Sequence, residues 1–504
     1  MLFANCEEAE DSGRLGDTIP VVEMGVGLGL FARLLLQCFR ILCEQSGRDF
    51  HRRLLYHATD FSRQNLADIQ RLGTLAGFDP RVRLGILDAL DPTTFTPLGS
   101  GTSEPLAGPL RAVFHNYLFD ALPQSLVLRQ QGAWYELRVQ TRLGEPWRLC
   151  EFTPRPFDEV MDLLRRGDPE GIEALSDAYP LIEVERSFFP VTRNELPYAR
   201  FAERFADEVL QPDVDHRIGT KRNVRMWLPW GAMTSLEKTA ERLAEDGFLL
   251  FTDYGHTTAP EVATARAYQR YGAGICIPVN FPILDGFAQS IGLRLIVAEG
   301  DEALPLHARL VTKRPLARTE TGFARRFVGR DFHELENLLK GAREAADGDV
   351  ARAQARFREA ETKFPDNWLL LAEWAHVENF VADNPGRALE LADRALALNP
   401  TCSADLWCER GDALHRLGDG EGSERAYLRG LEVNPEHSRS HFNIAWLRAE
   451  RGAYGEALLE IGKALACDSV GHHTKMLLDK QQEILDNRAA ARDADRQRLM
   501  PRGF

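Results

Sequence analysis

Three prolines at one interval constrain this chain more than any other feature. Pro365, Pro400 and Pro435 stand 35 residues apart in "AETKFPDN", "ALALNPTC" and "GLEVNPEH", each after an amphipathic stretch of helical length. Proline cannot continue a helix, so each one marks the end of a unit and the start of the next. A weaker copy ends near Asp468. Aligned on the prolines, residues 406–435 and 441–468 set Gly411 against Ala445, Gly418 against Gly452 and Gly430 against Ala464, each pair 34 residues apart. Small residues at fixed positions let the two helices of a unit approach closely. The period predicts an all-α stack of helix pairs over 331–469, followed by a polar capping helix and tail over 470–504.

Before residue 313 the pattern is different. Short β-branched or aromatic runs at 19–25, 54–60, 82–88, 111–119 and 247–255 alternate with helical patterns, the signature of a mostly parallel, doubly wound α/β sheet. Apolar runs at 293–298 and 307–312 predict two last, antiparallel strands. The sheet domain thus spans 19–312, behind an N-terminal tail at 1–18, and an Arg-rich linker or connecting helix at 313–330 joins it to the repeats. The stretch 124–246 is too long for a simple crossover and is expected to be a substrate or lid insertion.

Composition narrows the function classes. With 44% hydrophobic and 27% charged residues, the 504-residue chain is globular and long enough for several cores. A net charge of -14 repels phosphate backbones, which excludes general nucleic-acid binding. The eight cysteines contain no C-x-x-C, so reduced structural thiols and no metal are expected. Residues 21–43 are largely apolar, but Glu23, Arg33 and Arg40 interrupt them, so a buried strand and helix fit better than a membrane span. The acidic start "MLFANCEEAEDSGRLGD" lacks the apolar core of a leader, and a cytoplasmic protein without membrane attachment is expected. Nothing in the sequence indicates an oligomeric state.

The chemistry concentrates at strand ends. In "EMGVGLG", Gly25, Gly27 and Gly29 alternate directly after the first strand, where bare backbone and a helix N-terminus can receive a ligand. Asp60 closes the second strand, positioned to accept both hydroxyls of a ribose, and Asp88 closes the third, positioned for an adenine amino group. The third glycine comes two residues after the second, not three, and Asp60 comes 35 residues after Gly25. Both departures from the dinucleotide fingerprint favour a nucleoside without pyrophosphate. S-adenosylmethionine fits, with Glu23 or backbone carbonyls available for its ammonium. Asn116 and Asp120 in "FHNYLFDALP" are the candidate catalytic pair, able to bind acceptor protons and orient a lone pair.

These residues carry two resemblances. The C-terminal part resembles the tetratricopeptide repeat, which implies binding of a protein substrate or partner. The combination "EMGVGLG", "ATDFSRQNL", "FHNYLFDALP" and "GFLLFTDYGH" resembles the class I S-adenosylmethionine-dependent methyltransferases over residues 19–312, in particular the MidA-like family that includes the complex I assembly arginine methyltransferase. Glu23, Gly25, Gly27 and Gly29 match its E-x-G-x-G-x-G loop, and Asn116, Phe119, Asp120, Ala121, Leu122 and Pro123 match its N-E-F-F-D-A-L-P stretch. The resemblance implies S-adenosylmethionine as cofactor, an arginine of a protein as acceptor, and Tyr117, Asp253, Tyr254 and His256 as candidate walls of the substrate pocket. Two departures stand out. Tyr117 replaces the acid that follows the asparagine, and the first strand begins at residue 19, where family members have a longer preceding helical segment. They motivate an alternative, a non-catalytic adaptor in which a degenerate methyltransferase fold and the repeats hold partners.

Overall fold

The computed structural model describes residues 1–78, 80–167, 171, 181–209, 223–264, 269–271, 274–301, 306–327, 329–468 and 473–499. The expected insertion therefore falls partly outside the described residues, as does the end of the expected tail, 500–504. The strands that organise the first part are β1 (Ile19–Met24), β2 (Leu54–Asp60), β3 (Val82–Leu87), β4 (Leu110–Asn116), β5 (Leu243–His256), β6 (Arg294–Val297) and β7 (Leu306–Thr312). They lie in the order β6-β7-β5-β4-β1-β2-β3 within a ten-stranded sheet that short antiparallel strands extend beyond β3. β3, β2, β1, β4 and β5 run parallel. Along them apolar side chains alternate between two cores: Val22, Met24, Val113, Leu249 and Phe251 face one, and Val21, Ala112, Phe114, Phe248 and Leu250 the other. Both faces of the sheet are covered, as parallel strands require.

The last two strands differ from expectation. β7 is antiparallel to β5 and to β6, so only β7 opposes the set, while β6 runs with it. The helix Phe281–Ser290 carries the chain from β5 over the vacant position to β6, and β7 returns into the gap.

The expected N-terminal tail is corrected too: Leu2–Asp11 forms helix α1. Leu2, Cys6 and Ala9 are buried together on one face of it. Buried Asn5 donates its side-chain N–H to the Asp246 carbonyl at 2.9 Å and to Thr319 Oγ1 at 3.2 Å. Between β1 and β3 lie α2 (Leu30–Ser46) and α3 (Arg63–Leu72), and α4 (Trp230–Arg242) leads into β5. The 124–246 stretch holds a four-stranded antiparallel sheet of Ser125–Gln130, Ala133–Leu143, Ile182–Val191 and Asn223–Leu228. Its Val127, Trp134 and Val224 share a core with Phe119 and Phe251, so it packs directly over the strand ends.

Residues 317–326, in the expected linker, form α5 (Ala317–Arg326), whose Thr319 receives Asn5. The repeats follow as four helix pairs, α6 (Gly329–Ala346) with α7 (Val350–Lys363), α8 (Trp368–Phe380) with α9 (Pro385–Leu398), α10 (Ala404–Arg416) with α11 (Gly420–Val433), and α12 (Ser438–Glu450) with α13 (Tyr454–Cys467). The last helix, α14 (Thr474–Leu499), buries Leu477 against Ala445, Ile461 and Ala464. The recurring small residues divide into two kinds. A Cβ on Gly411 would lie 2.3 Å from the Tyr427 ring and one on Gly430 2.8 Å from Ser440 Oγ, whereas Gly418 and Gly452 face open space at φ of 84° and 76°. The first kind permits close packing; the second makes the turn within a unit.

Candidate functional site

The glycine turn is built from positive φ. Gly25, Gly27 and Gly29 sit at 76°, 55° and 81°, a region that costs other residues roughly 1–2 kcal/mol. Around Gly29 a Cβ would press on Thr74 and Ile69 at 3.3–3.4 Å, and at Gly25 on Leu118 at 3.4 Å. At Gly27 it would meet nothing within 4 Å. Packing thus explains the outer two glycines, while the middle one leaves bare backbone facing open space above the N-terminus of α2. Beside it, Asp60 accepts the Gly27 N–H on Oδ2 at 2.9 Å and the Ser62 N–H on Oδ1 at 2.8 Å. Each oxygen retains a second lone pair, so this carboxylate can hold the turn and still accept hydroxyls.

Glu23 is turned away from that opening. It is 1% exposed and accepts the Tyr56 hydroxyl proton at 2.7 Å, and burial pushes its carboxyl up to about 8. Asp88 is exposed just past β3, where it accepts the Leu90 N–H at 2.8 Å in a tight turn. One residue absent from the sequence reading belongs here: Phe61, next to Asp60, is 80% exposed. An aromatic residue directly after an acid at a strand end is the signal that could have found it.

The second cluster lies where β4 and β5 end side by side. Asn116 accepts the Thr252 hydroxyl proton on Oδ1 at 2.9 Å, and its Nδ2 is buried without a partner. Tyr117 takes φ of 52°, rare for a side chain of its size, and donates its backbone N–H to the Thr252 carbonyl at 2.9 Å. Its half-exposed ring lies 5.2 Å from that of Tyr254, and a side-chain hydrogen bond joins the two. Burial, with Tyr254 and Asp253 nearby, pushes the Tyr117 phenol up to about 12. Asp120 lies within the single 3₁₀ turn Phe119–Ala121, whose N-cap is Leu118.

Asp253, expected at a pocket wall, is buried. It is 1% exposed, with Oδ2 accepting the N–H groups of Phe119 at 2.7 Å and Asp120 at 3.2 Å, and Oδ1 that of Tyr254 at 2.8 Å. His256 is half-buried, its Nε2 lacks a partner, and burial lowers its pKa. Gly255 is extended rather than left-handed; a Cβ there would meet the Val279 carbonyl at 2.3 Å. Among the described residues no group of His, Cys, Asp and Glu could hold a metal ion, and the described cysteines are free thiols.

The sites just described lie at the carboxyl ends of parallel strands, on a sheet of this order. The family model described as "Putative S-adenosyl-L-methionine-dependent methyltransferase" matches residues 4–295. The chain belongs to that family. The matched span of this methyltransferase family begins inside α1, reaches β6 and stops short of the repeats. Similar solved structures include MamA, 13% identical, covering 34% of this chain and 100% of that one at a TM-score of 0.25. PilF of Pseudomonas aeruginosa is 20% identical, with 32% and 78% covered at a TM-score of 0.26. A tetratricopeptide repeat protein from Parabacteroides merdae is 21% identical, with 31% and 63% covered at 0.26. No curated protein matches the chain. No helix among the described residues is long and apolar enough to cross a membrane.

Proposed function

We propose that the protein transfers a methyl group from S-adenosylmethionine to a protein acceptor, which the helical repeats recruit. The observation that carries this reading is the pairing of an open Gly27 backbone with the Asp60 carboxylate at adjacent strand ends. Asp60 would receive the ribose hydroxyls, Phe61 the face of the adenine, and the turn Gly25–Gly29 the amino acid part. Asp88, just past the neighbouring strand β3, would receive the adenine amino group. Glu23, bonded to Tyr56, would act by holding β1 against β2 rather than by touching the ammonium.

When bound, the cofactor supplies a methyl on a sulfonium, whose departure leaves a neutral thioether. The protein therefore has to position and desolvate the nucleophile more than to activate a leaving group. With the Asn116 carbonyl engaged by Thr252, its amide N–H is the end left to direct a substrate, and Asp120 is the residue to receive acceptor protons. Tyr117 and Tyr254 would wall the entry. An arginine is the acceptor that the resemblance to the MidA-like family implies, and a cation beside two aromatic rings and a carboxylate is compatible with it.

Calorimetric titration of S-adenosylmethionine into the wild type and Asp60→Ala tests the reading. Binding in the wild type and its loss in the variant are expected. A folded wild type that binds no cofactor would favour the adaptor alternative, for which Tyr117 in place of the family's acid is the motivating departure.

A further inference from the structure

We propose that Asp253 is a positioning residue for methyl transfer: its buried carboxylate clips the turn bearing Asn116, Tyr117 and Asp120 onto the end of β5. This rests on the methyltransferase reading above. Past Asn116 the chain leaves the sheet ladder, and Tyr117 takes a left-handed conformation that local preference disfavours. Such a turn persists only when its surroundings over-determine it. Three consecutive residues of β5 do so: Thr252 bonds the Asn116 side chain and the Tyr117 N–H, Asp253 bonds the N–H groups of Phe119 and Asp120, and the Tyr254 ring lies on Tyr117.

Asp253 is the costly member of this clip. Among the described residues it has no cationic partner within ion-pair distance, and a buried carboxylate held by backbone amides alone is expensive unless those bonds serve something. Around it stand Asp120 on the turn, Tyr117 and Tyr254 at the rim, His256 further along β5, and His307 opposite it on β7. His307 is engaged elsewhere, with its ring nitrogens on the carbonyls of Asp301 and Gly255. Burial, and then the Asp120 charge, raise the Asp253 carboxyl to about 7. Below that pH the acid is neutral and its amide bonds weaken.

The test combines hydrogen exchange with kinetics on the full chain. Protection from exchange of the Phe119 and Asp120 amides, corrected for intrinsic rates, is expected in the wild type. Asp253→Asn should lose this protection. With tritium-labelled S-adenosylmethionine and cell-extract proteins as the acceptor pool, Asp253→Asn should lower the maximal rate on the order of tenfold. The KM for the cofactor should stay within a factor of two, and the inflection near pH 7 should vanish. An Asp253→Asn protein with wild-type amide protection and pH profile would overturn the inference. Absence of transfer and of cofactor binding in the wild type would instead overturn the methyltransferase reading, and the exchange data would still decide whether Asp253 holds the turn.

Discussion

A phenylalanine left 80% exposed beside a buried carboxylate contributes little to folding, so removing it isolates a binding role. Stacking of a base on an aromatic ring is worth about 1–3 kcal/mol. Phe61→Ala should therefore weaken S-adenosylmethionine binding by roughly 5- to 150-fold in a calorimetric titration, with an unchanged melting temperature; an unaltered Kd would remove Phe61 from the site. Glu23 makes a prediction about pH. Its carboxyl sits at about 8 in the fold against an ordinary 4.5, so between those values the folded state keeps a proton that the unfolded state has released. Stability from this group is present at low pH and is lost as pH rises to about 8. Glu23→Gln should thus lose less stability than the wild type between pH 5 and pH 8.5 in urea titrations, and parallel curves would refute the assignment. The places of Gly27 and Asp60, in a turn and at a strand end, could be read directly from the sequence because glycine and strand patterns are local. The hydrogen bonds of Asp253 to the turn could not, because those two amide partners are 134 and 133 positions away and only the pairing of β4 with β5 brings them within reach.

At the scale of elements, the repeat tests the two uses of glycine. Gly411→Ala would drive a methyl into the Tyr427 ring and should destabilise the repeats by about 1–3 kcal/mol. Gly418→Ala meets open space and pays only for its positive φ, roughly 1–2 kcal/mol. The ranking of the two in guanidinium unfolding followed by circular dichroism checks the distinction; equal effects would contradict it. The helix pairs were legible because their period is a property of the sequence alone. Helix α1 was not, since its apolar face is ten residues long and its significance depends on Asn5 reaching Asp246 and Thr319 far along the chain. The direction of β6 was equally hidden, because an apolar run carries no sign of which way it will pair.

At the scale of the whole molecule, the sheet and the repeats have separate cores. They touch where Arg71 of α3 donates to the Glu432 carbonyl at 2.6 Å and Cys402 Sγ lies 3.5 Å from the Leu28 carbonyl in the glycine turn. Unfolding should therefore show more than one calorimetric transition. S-adenosylmethionine at a hundred times its Kd should stabilise the transition of the sheet domain by about 2.7 kcal/mol and leave that of the repeats in place. A single transition that moves as a unit would mean that the two parts unfold together. By itself the sequence determined the two architectures, the glycine turn and the repeat, since each follows from local pattern, period and the conformational demands of glycine and proline. The tertiary structure alone decided which carboxylates are buried and which backbone amides they hold, which strand fills the gap beside β5, and where α1 docks. Those outcomes depend on register and burial between residues far apart in the chain, which no local pattern encodes.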